Sequence, residues 1–289
     1  MEALAAWGVD VDRLKTMQIV EFNRPELVIA VLVVAAAFAA VDLLLQLTMR
    51  PLAARALRPK GAAAGAKAAE RDVTKALMIV VSFIHLGIQI PVGLSVLLDP
   101  RLAADPVYGV SLASQAMVTV STGYFTYDLL SVLARYDLEG AQFLVHALCC
   151  LFVYGYAVFF GTLHWFGAAF LMWELSTPFV HFRWLLSTMG RADGGLYLAN
   201  GLAMVFAFFC CRNLWGTWCS YHFFGATQKE LDAPREGGFS AAGIWGYRIA
   251  NVSLNALNAL WFSKMASKAA KLVAGGGKKG GRPQGKKER

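Results

Sequence analysis

Seven long apolar stretches separated by short polar loops dominate the hydropathy pattern of this chain. A helix needs about 20 apolar residues to cross the hydrocarbon core of a bilayer, and each stretch has about that length. Because lipid offers no hydrogen bonds to the backbone, each stretch is predicted to be a transmembrane helix. The predicted spans are 27–47, 77–98, 108–133, 143–160, 163–186, 196–219 and 243–263.

The composition supports this interpretation of the pattern. The chain is 57% hydrophobic and 16% charged, with a mean hydropathy of +0.49. Soluble domains contain about 45–50% apolar and about 25% charged residues. The sequence therefore predicts an all-α fold, a polytopic membrane helical bundle of about seven helices.

Basic residues are concentrated in two segments of the chain. The loop 48–75 holds seven of the 27, the chain after residue 263 holds nine, and residues 1–26 hold three against five acids. Loops rich in Lys and Arg remain in the cytosol. We therefore predict a lumenal segment 1–26, a cytosolic loop 48–74 and a flexible cytosolic tail 266–289. The net charge of +8 is explained by this topology, so no nucleic-acid partner is predicted.

Both ends of the chain carry predicted targeting information. The first twenty residues lack a basic region followed by an apolar one, so the span 27–47 is expected to act as an uncleaved anchor. Lys286 and Lys287 lie three and four places from the printed C-terminus. They resemble the dilysine signal by which coat proteins return membrane proteins to the endoplasmic reticulum. The alternative is one more lysine pair in a lysine-rich tail.

Several ionisable residues lie inside the predicted spans, where each costs at least about 2.5–3.5 kcal/mol at mid-bilayer. Such groups are expected to face the bundle interior and to have partners. His164 and His222 lie near span ends and are expected at the membrane interface. The interior candidates are Asp42, His85, Asp128, His146, Glu174, Arg212 and Arg248, with Arg183 if the fifth helix continues past Pro178.

Tyr124 and Asp128 are one helical turn apart and share a face of the third span. Tyr127 belongs to the same run, and Gly123 allows another helix or a lipid chain to approach closely. This face is interpreted either as the polar wall of a ligand cavity or as a hydrogen-bond cluster that fixes packing.

Pro178 interrupts the fifth span next to an acid. Its ring removes the helical hydrogen bond to the Glu174 carbonyl, so a free carbonyl is expected beside that carboxylate. Arg183 and Arg212 are the nearest cations in the sequence, and Glu174 is expected to pair with an arginine or to be protonated. The arrangement predicts either a site for a lipid headgroup or acyl carbonyl, or a structural brace.

His146 is the one residue singled out as a candidate catalyst, because an imidazole titrates near neutral pH. A general base needs an orienting partner and a substrate within reach, and the sequence identifies neither. The alternative is a hydrogen-bonded packing residue. The five cysteines lack C-x-x-C spacing and are interpreted as packing residues, so no metal and no cofactor is predicted.

These motifs together resemble the TLC-domain family. The resemblance lies in Gly-Tyr-Phe-Thr-Tyr-Asp at 123–128, His146, and Glu-Leu-Ser-Thr-Pro-Phe-x-x-x-Arg-Trp at 174–184. The family groups translocating-chain-associated proteins, ceramide synthases and the Batten-disease CLN-type protein. The resemblance is closest to the small TLC-domain-containing proteins. It covers 75–265 and implies a six-helix core preceded by the helix 27–47.

The resemblance implies an endoplasmic reticulum protein with a central cavity, tied to lipid homeostasis, with membrane lipids as partners. Ceramide synthases carry an adjacent His-His pair and a later His-Asp-x-x-Asp run. Here Ala147 follows His146, and 174–178 contains no Asp. We therefore expect a lipid-binding or lipid-regulating protein without enzymatic activity. The alternatives are an acyl-CoA-dependent acyltransferase using His146, or a cargo receptor cycling between endoplasmic reticulum and Golgi.

Overall fold

The computed structural model describes residues 25–57 and 66–276, and the regular structure of these residues is helical throughout. A 3₁₀ turn, Met172–Ser176, joins α8 to α9, and a π-helical segment, Phe209–Leu214, joins α10 to α11. The helices are α1 Pro25–Thr48, α2 Arg50–Ala56, α3 Ala66–Leu97, α4 Pro100–Ala104, α5 Leu112–Ala134, α6 Tyr136–Glu139, α7 Ala141–Phe160, α8 His164–Leu171, α9 Thr177–Thr188, α10 Gly195–Phe208, α11 Trp215–Asp232 and α12 Ala241–Gly276.

The long helices form a helical membrane bundle. Four helical stretches are long and apolar enough to cross a bilayer on their own: Pro25–Thr48, Ala69–Leu97, Ala141–Phe160 and Gly195–Asp232. The other long segments are α5, the interrupted α8–α9 and α12, which follow the remaining predicted spans. The exact number of seven crossings stays a prediction.

Several boundaries differ from the predicted ones. α2 and the first turns of α3 occupy described parts of the predicted loop 48–74, because their alanines favour helix although they are not apolar enough for a span. α5 begins four residues late, at Leu112, where Ser111 and Ser114 form a capping box. α11 continues to Asp232, well past the predicted end at 219.

α5 lies at the centre of the bundle, packed against α1, α3 and α7. α1 approaches α5 closely at Gly123, where an added Cβ would lie 2.5 Å from Val34 Cγ1. Because Gly123 has no side chain, α1 can approach α5 closely at this point. α1 therefore packs directly onto the core, although it lies outside the segment that the resemblance covers.

Buried polar side chains brace the bundle where helices meet. Asp42 of α1 pairs with Arg135 at 2.9 Å, and Arg248 of α12 donates to Thr227 Oγ1 of α11 at 3.2 Å. His164 is fully buried, 2.9 Å from Ser114 Oγ and 3.1 Å from the Ala157 carbonyl. Its ring ties the starts of α5 and α8 to α7, and its place at the membrane interface stays a prediction.

Candidate functional site

A largely apolar cavity lies between α5, α7, α8, α11 and α12. The empty space between its walls is about 710 Å³, including the part that opens outwards. Little of this space is wide enough for a water molecule, so the cavity is a narrow slot. Its apolar walls include Phe125, Val153, Phe166, Phe170, Phe223 and Leu254.

Three polar side chains are part of this lining: His146, Glu174 and Asn251. The two tyrosines of the lining use their hydroxyls elsewhere. Tyr154 donates to the Gly167 carbonyl at 2.9 Å, and Tyr247 donates to the Val153 carbonyl at 2.6 Å. The polar chemistry of the slot is therefore provided mainly by the first three residues.

Glu174 is held by two partners. Its Oε1 lies 3.0 Å from Arg212 Nη2, and its Oε2 accepts a hydrogen bond of 2.6 Å from Thr177 Oγ1. The Glu174 side chain is 21% exposed, whereas that of Arg212 is 7% exposed. The cation is thus enclosed by the protein, and the carboxylate is the member of the pair that faces the slot.

Arg212 forms the hub of this cluster. Its guanidinium also donates to Ser176 Oγ at 3.0 Å, to Thr177 Oγ1 at 2.9 Å and to Asn258 Oδ1 at 3.3 Å. Arg212 lies in the π-helical segment, a rare geometry that is frequent at functional sites. Breaking an ion pair at such a depth leaves an uncompensated charge, so the cluster is a rigid part of the core.

The interruption before Pro178 does not leave the free carbonyl expected from the sequence. The Thr177 N–H donates to the Glu174 carbonyl, and Ser176 Oγ donates to the Trp173 carbonyl at 3.0 Å. The physical reason is the 3₁₀ turn: its tighter spacing supplies a donor one residue earlier than an α-helix would. Pro178 then sits in the first turn of α9, where its missing N–H is tolerated.

His146 reaches the slot from α7. Its Nε2 lies 3.6 Å from Cys150 Sγ, one turn along the same helix, and its ring centroid lies 5.9 Å from that of Trp261. Glu174 lines the same slot, and Arg212 pairs with Glu174. The structure therefore brings His146, Glu174 and Arg212 into one neighbourhood.

The tyrosines and the acid of α5 lie outside the lining of the slot. Tyr124 stacks on His85 of α3 with centroids 3.8 Å apart, and it meets Phe38 of α1 edge-on at 5.2 Å. Tyr127 is buried in the same aromatic group, and Asp128 is half-buried one turn after Tyr124. Phe125 is the residue of this run that turns towards the slot.

Arg183 lies in a second groove, apart from Glu174. Its Nη1 donates to the Tyr197 carbonyl at 3.0 Å, and its guanidinium lies 3.9 Å from the centre of the Tyr197 ring. Of the two arginines named as partners for Glu174, the structure selects Arg212. Lys286 and Lys287 lie outside the described residues.

A family model for the TLC domain matches residues 78–267. The chain belongs to the TLC-domain family. An uncharacterized TLC domain-containing protein of Schizosaccharomyces pombe is 30% identical over 64% of this chain and 62% of its own. TLC domain-containing protein 4-B of Danio rerio is 32% identical over 61% of this chain and 66% of its own. Topoisomerase I damage affected protein 4 of Saccharomyces cerevisiae is 32% identical over 55% of this chain and 57% of its own.

The chain spans less than two thirds of the length of each of these three relatives. None of the three is named a ceramide synthase, which agrees with the sequence of this TLC domain around His146 and Glu174. No solved structure matches the chain significantly.

The sequence did not reveal every member of the hydrogen-bonded cluster around Arg212 and Glu174. Ser176 and Thr177 were not among the candidate residues, yet both accept from Arg212. Asn258, on the last helix, closes the cluster from the other side. The asparagines spaced along the seventh span were a signal for this contact, because amides within a membrane helix need polar neighbours.

Proposed function

We propose that this TLC-domain protein binds a membrane lipid in the slot and thereby takes part in membrane lipid homeostasis. The observation that carries the proposal is a narrow apolar slot whose lining includes three polar side chains, His146, Glu174 and Asn251, together called the polar patch. An acyl chain would lie along the apolar walls, and a polar group of the lipid would reach the patch. Ligand sites in proteins typically combine such walls with a few placed polar groups.

The charge of the patch narrows the class of lipid. Arg212 balances Glu174, and Thr177 occupies the second carboxylate oxygen. The patch therefore has no unbalanced cation to attract a phosphate. It suits an uncharged hydrogen-bonding group, such as a hydroxyl, an amide or an ester.

The proposal is tested by extracting lipids from the purified full-length protein and comparing them with detergent blanks by mass spectrometry. Leu254→Trp would fill the slot, and we expect it to remove the retained lipid. Leu148→Trp is the matched control, because Leu148 is 50% exposed on the outside of α7. Glu174→Gln should alter which lipid is retained. No lipid above the blank, or equal retention by both tryptophan variants, would refute the proposal.

A second candidate function is acyl transfer from an acyl-CoA, favoured by the presence of His146 in the same slot. The imidazole would take the proton of a lipid hydroxyl or amine as that group bonds to the acyl carbon. Coenzyme A would leave as a thiol carrying the transferred proton. Microsomes with and without the protein should then differ in acylated lipid. An identical product profile for His146→Ala would exclude this chemistry.

For location, we propose the endoplasmic reticulum membrane, with a lumenal N-terminus and a cytosolic C-terminus. The charge distribution supports this orientation, and the lysine pair 286–287 supports retrieval by coat proteins. Replacing both lysines with serine should move a tagged protein out of the endoplasmic reticulum. Unchanged location would remove the support for retrieval and for a cycling cargo receptor.

A further inference from the structure

A second groove lies between α9, α10 and α12, with an empty space of about 990 Å³ including its open side. One wall is apolar and faces outwards: Leu198 and Leu202 are 50% and 53% exposed. The other parts of the lining include Arg183, Lys264 and Lys268. The groove is thus open to the surroundings of the bundle, unlike the narrow slot.

Among the described residues, no acid forms an ion pair with the three cations of this groove. No acidic residue is among the described residues that line the groove. Within residues 25–57 and 66–276, the ion pairs involve none of these three side chains. Lys264 has only a contact of 3.5 Å with Gln142 Oε1. An anion is therefore the complementary ligand.

Arg183 is oriented before any ligand arrives. The Tyr197 carbonyl accepts from its Nη1, and the Tyr197 ring supports the guanidinium plane. Gly201 makes room for the guanidinium, because a Cβ there would overlap Arg183 Nη1. A held guanidinium loses little freedom on binding, and its fork of N–H donors matches the oxygens of a phosphate.

The groove lies at the basic end of the bundle. Leu185 and Met189, at the end of α9, pack against Val73 and Leu77 near the start of α3. The basic loop 48–74 leads into that same start. The positive-inside rule assigns this end to the cytosolic face, where the leaflet is rich in anionic lipids.

We propose that this groove binds the phosphate headgroup of an anionic phospholipid of the cytosolic leaflet. Arg183, Lys264 and Lys268 would contact the phosphate, and the acyl chains would lie against Leu198 and Leu202. Basic clefts between transmembrane helices on the cytosolic side bind lipid headgroups in this way. This site is separate from the slot, so it does not depend on the function proposed above.

The test uses full-length protein in phosphatidylcholine vesicles containing phosphatidylinositol 4-phosphate, with the lipid retained after purification measured by mass spectrometry. We expect the anionic lipid to be enriched over its share of the vesicle. Lys264→Gln/Lys268→Gln should reduce that enrichment at least about tenfold. Both lysines are exposed, so the fold is expected to be unaffected.

Arg55→Gln/Arg191→Gln is the matched control. These exposed arginines lie at the same end and outside the groove, so the variant removes the same charge and leaves the basic tail unchanged. An equal loss in both variants would mean general surface attraction and would overturn the proposal. Absence of enrichment in the wild-type protein would also overturn it.

A further arm identifies the source of the phosphate. Inorganic phosphate at millimolar concentration should leave the bound lipid in place, because it cannot contact the apolar wall. Full displacement by phosphate would indicate a site for a soluble anion instead of a lipid. Lipid retained in the slot should be the same in wild type and Lys264→Gln/Lys268→Gln, so failure of one site is distinguishable from failure of the other.

Discussion

Two arginines in this bundle occupy opposite electrostatic settings. Arg212 is enclosed in the core, where it pairs with Glu174 at 3.0 Å and donates to three neutral acceptors. Arg183 lines an open groove that it shares with two lysines and no described acid. In the first setting the protein completes the charge balance. In the second setting no described lining residue supplies the complementary charge.

The difference shows how one membrane bundle can discriminate between ligands. A balanced, enclosed pair presents hydrogen-bonding groups without net charge, which favours an uncharged lipid in the slot. Unbalanced cations beside an exposed apolar wall favour a lipid with an anionic headgroup. The two proposed sites would therefore differ in ligand class although arginine is prominent in both.

The largest expected effect comes from removing the enclosed arginine. Arg212→Gln leaves the Glu174 carboxylate without its cation, and breaking a buried pair in this way costs about 3–5 kcal/mol. Arg183→Gln, the same substitution in the groove, leaves no acid unpaired and should change stability by less than about 1 kcal/mol. Thermal unfolding in detergent, followed by tryptophan fluorescence, measures both.

The double variant Glu174→Gln/Arg212→Gln controls for the loss of the arginine side chain itself. It should be less destabilised than the sum of its two single variants, because neither charge is left alone. The comparison fails if Arg183→Gln destabilises the protein as much as Arg212→Gln does.

The sequence predicts the helical membrane bundle well because hydropathy depends on composition over about 20 residues, which packing details do not alter. It also identified Glu174 and two candidate arginine partners. It could not choose between them, because the choice depends on the direction in which each side chain points. The π-helical segment at Phe209–Leu214 rotates Arg212 relative to a regular helix, and nothing in hydropathy marks such a segment.

The sequence could not predict the groove around Arg183, for a different reason. Lys264 and Lys268 belong to a lysine-rich end of the chain, where they were interpreted only as topology signals. Their position beside Arg183 depends on how α12 packs against α10. Likewise, helical spacing correctly placed Tyr124 and Asp128 one turn apart. It could not predict which neighbouring helix these side chains would face.

An intermediate effect is expected from moving the groove arginine without removing it. Gly201→Ala would push the Arg183 guanidinium from its position, and the side chain is flexible enough to move at little cost in stability. We expect the enrichment of anionic lipid to fall several-fold while the melting temperature stays near the wild-type value. Gly195→Ala on the same helix is the control, since a Cβ there meets nothing within 4 Å. Similar enrichment in both alanine variants would show that Arg183 does not position the headgroup.

The smallest effect is expected at an exposed ion pair, which tests whether enclosure explains the importance of Arg212. Asp105, in the loop before α5, pairs at 3.0 Å with Arg235, in the loop between α11 and α12. The Asp105 side chain is 40% exposed and that of Arg235 is 53% exposed. Partial burial pushes the pKa of Asp105 upwards, but hydrogen bonds from Arg235 and the Tyr108 N–H outweigh it and hold the pKa below its ordinary value. An exposed pair of this kind contributes only about 0.2–1 kcal/mol.

The sign of the pH dependence follows from the direction of that shift. A carboxyl whose pKa is lowered by folding stabilises the protein above its unfolded pKa, about 3.9, and loses this contribution as pH falls through the folded value. The melting temperature of wild type should therefore exceed that of Asp105→Asn slightly at pH 6, and the difference should shrink as pH falls below about 3.9. A difference that grows on acidification, or that rivals the effect of Arg212→Gln at pH 6, would mean that exposure does not separate weak pairs from strong ones in this bundle.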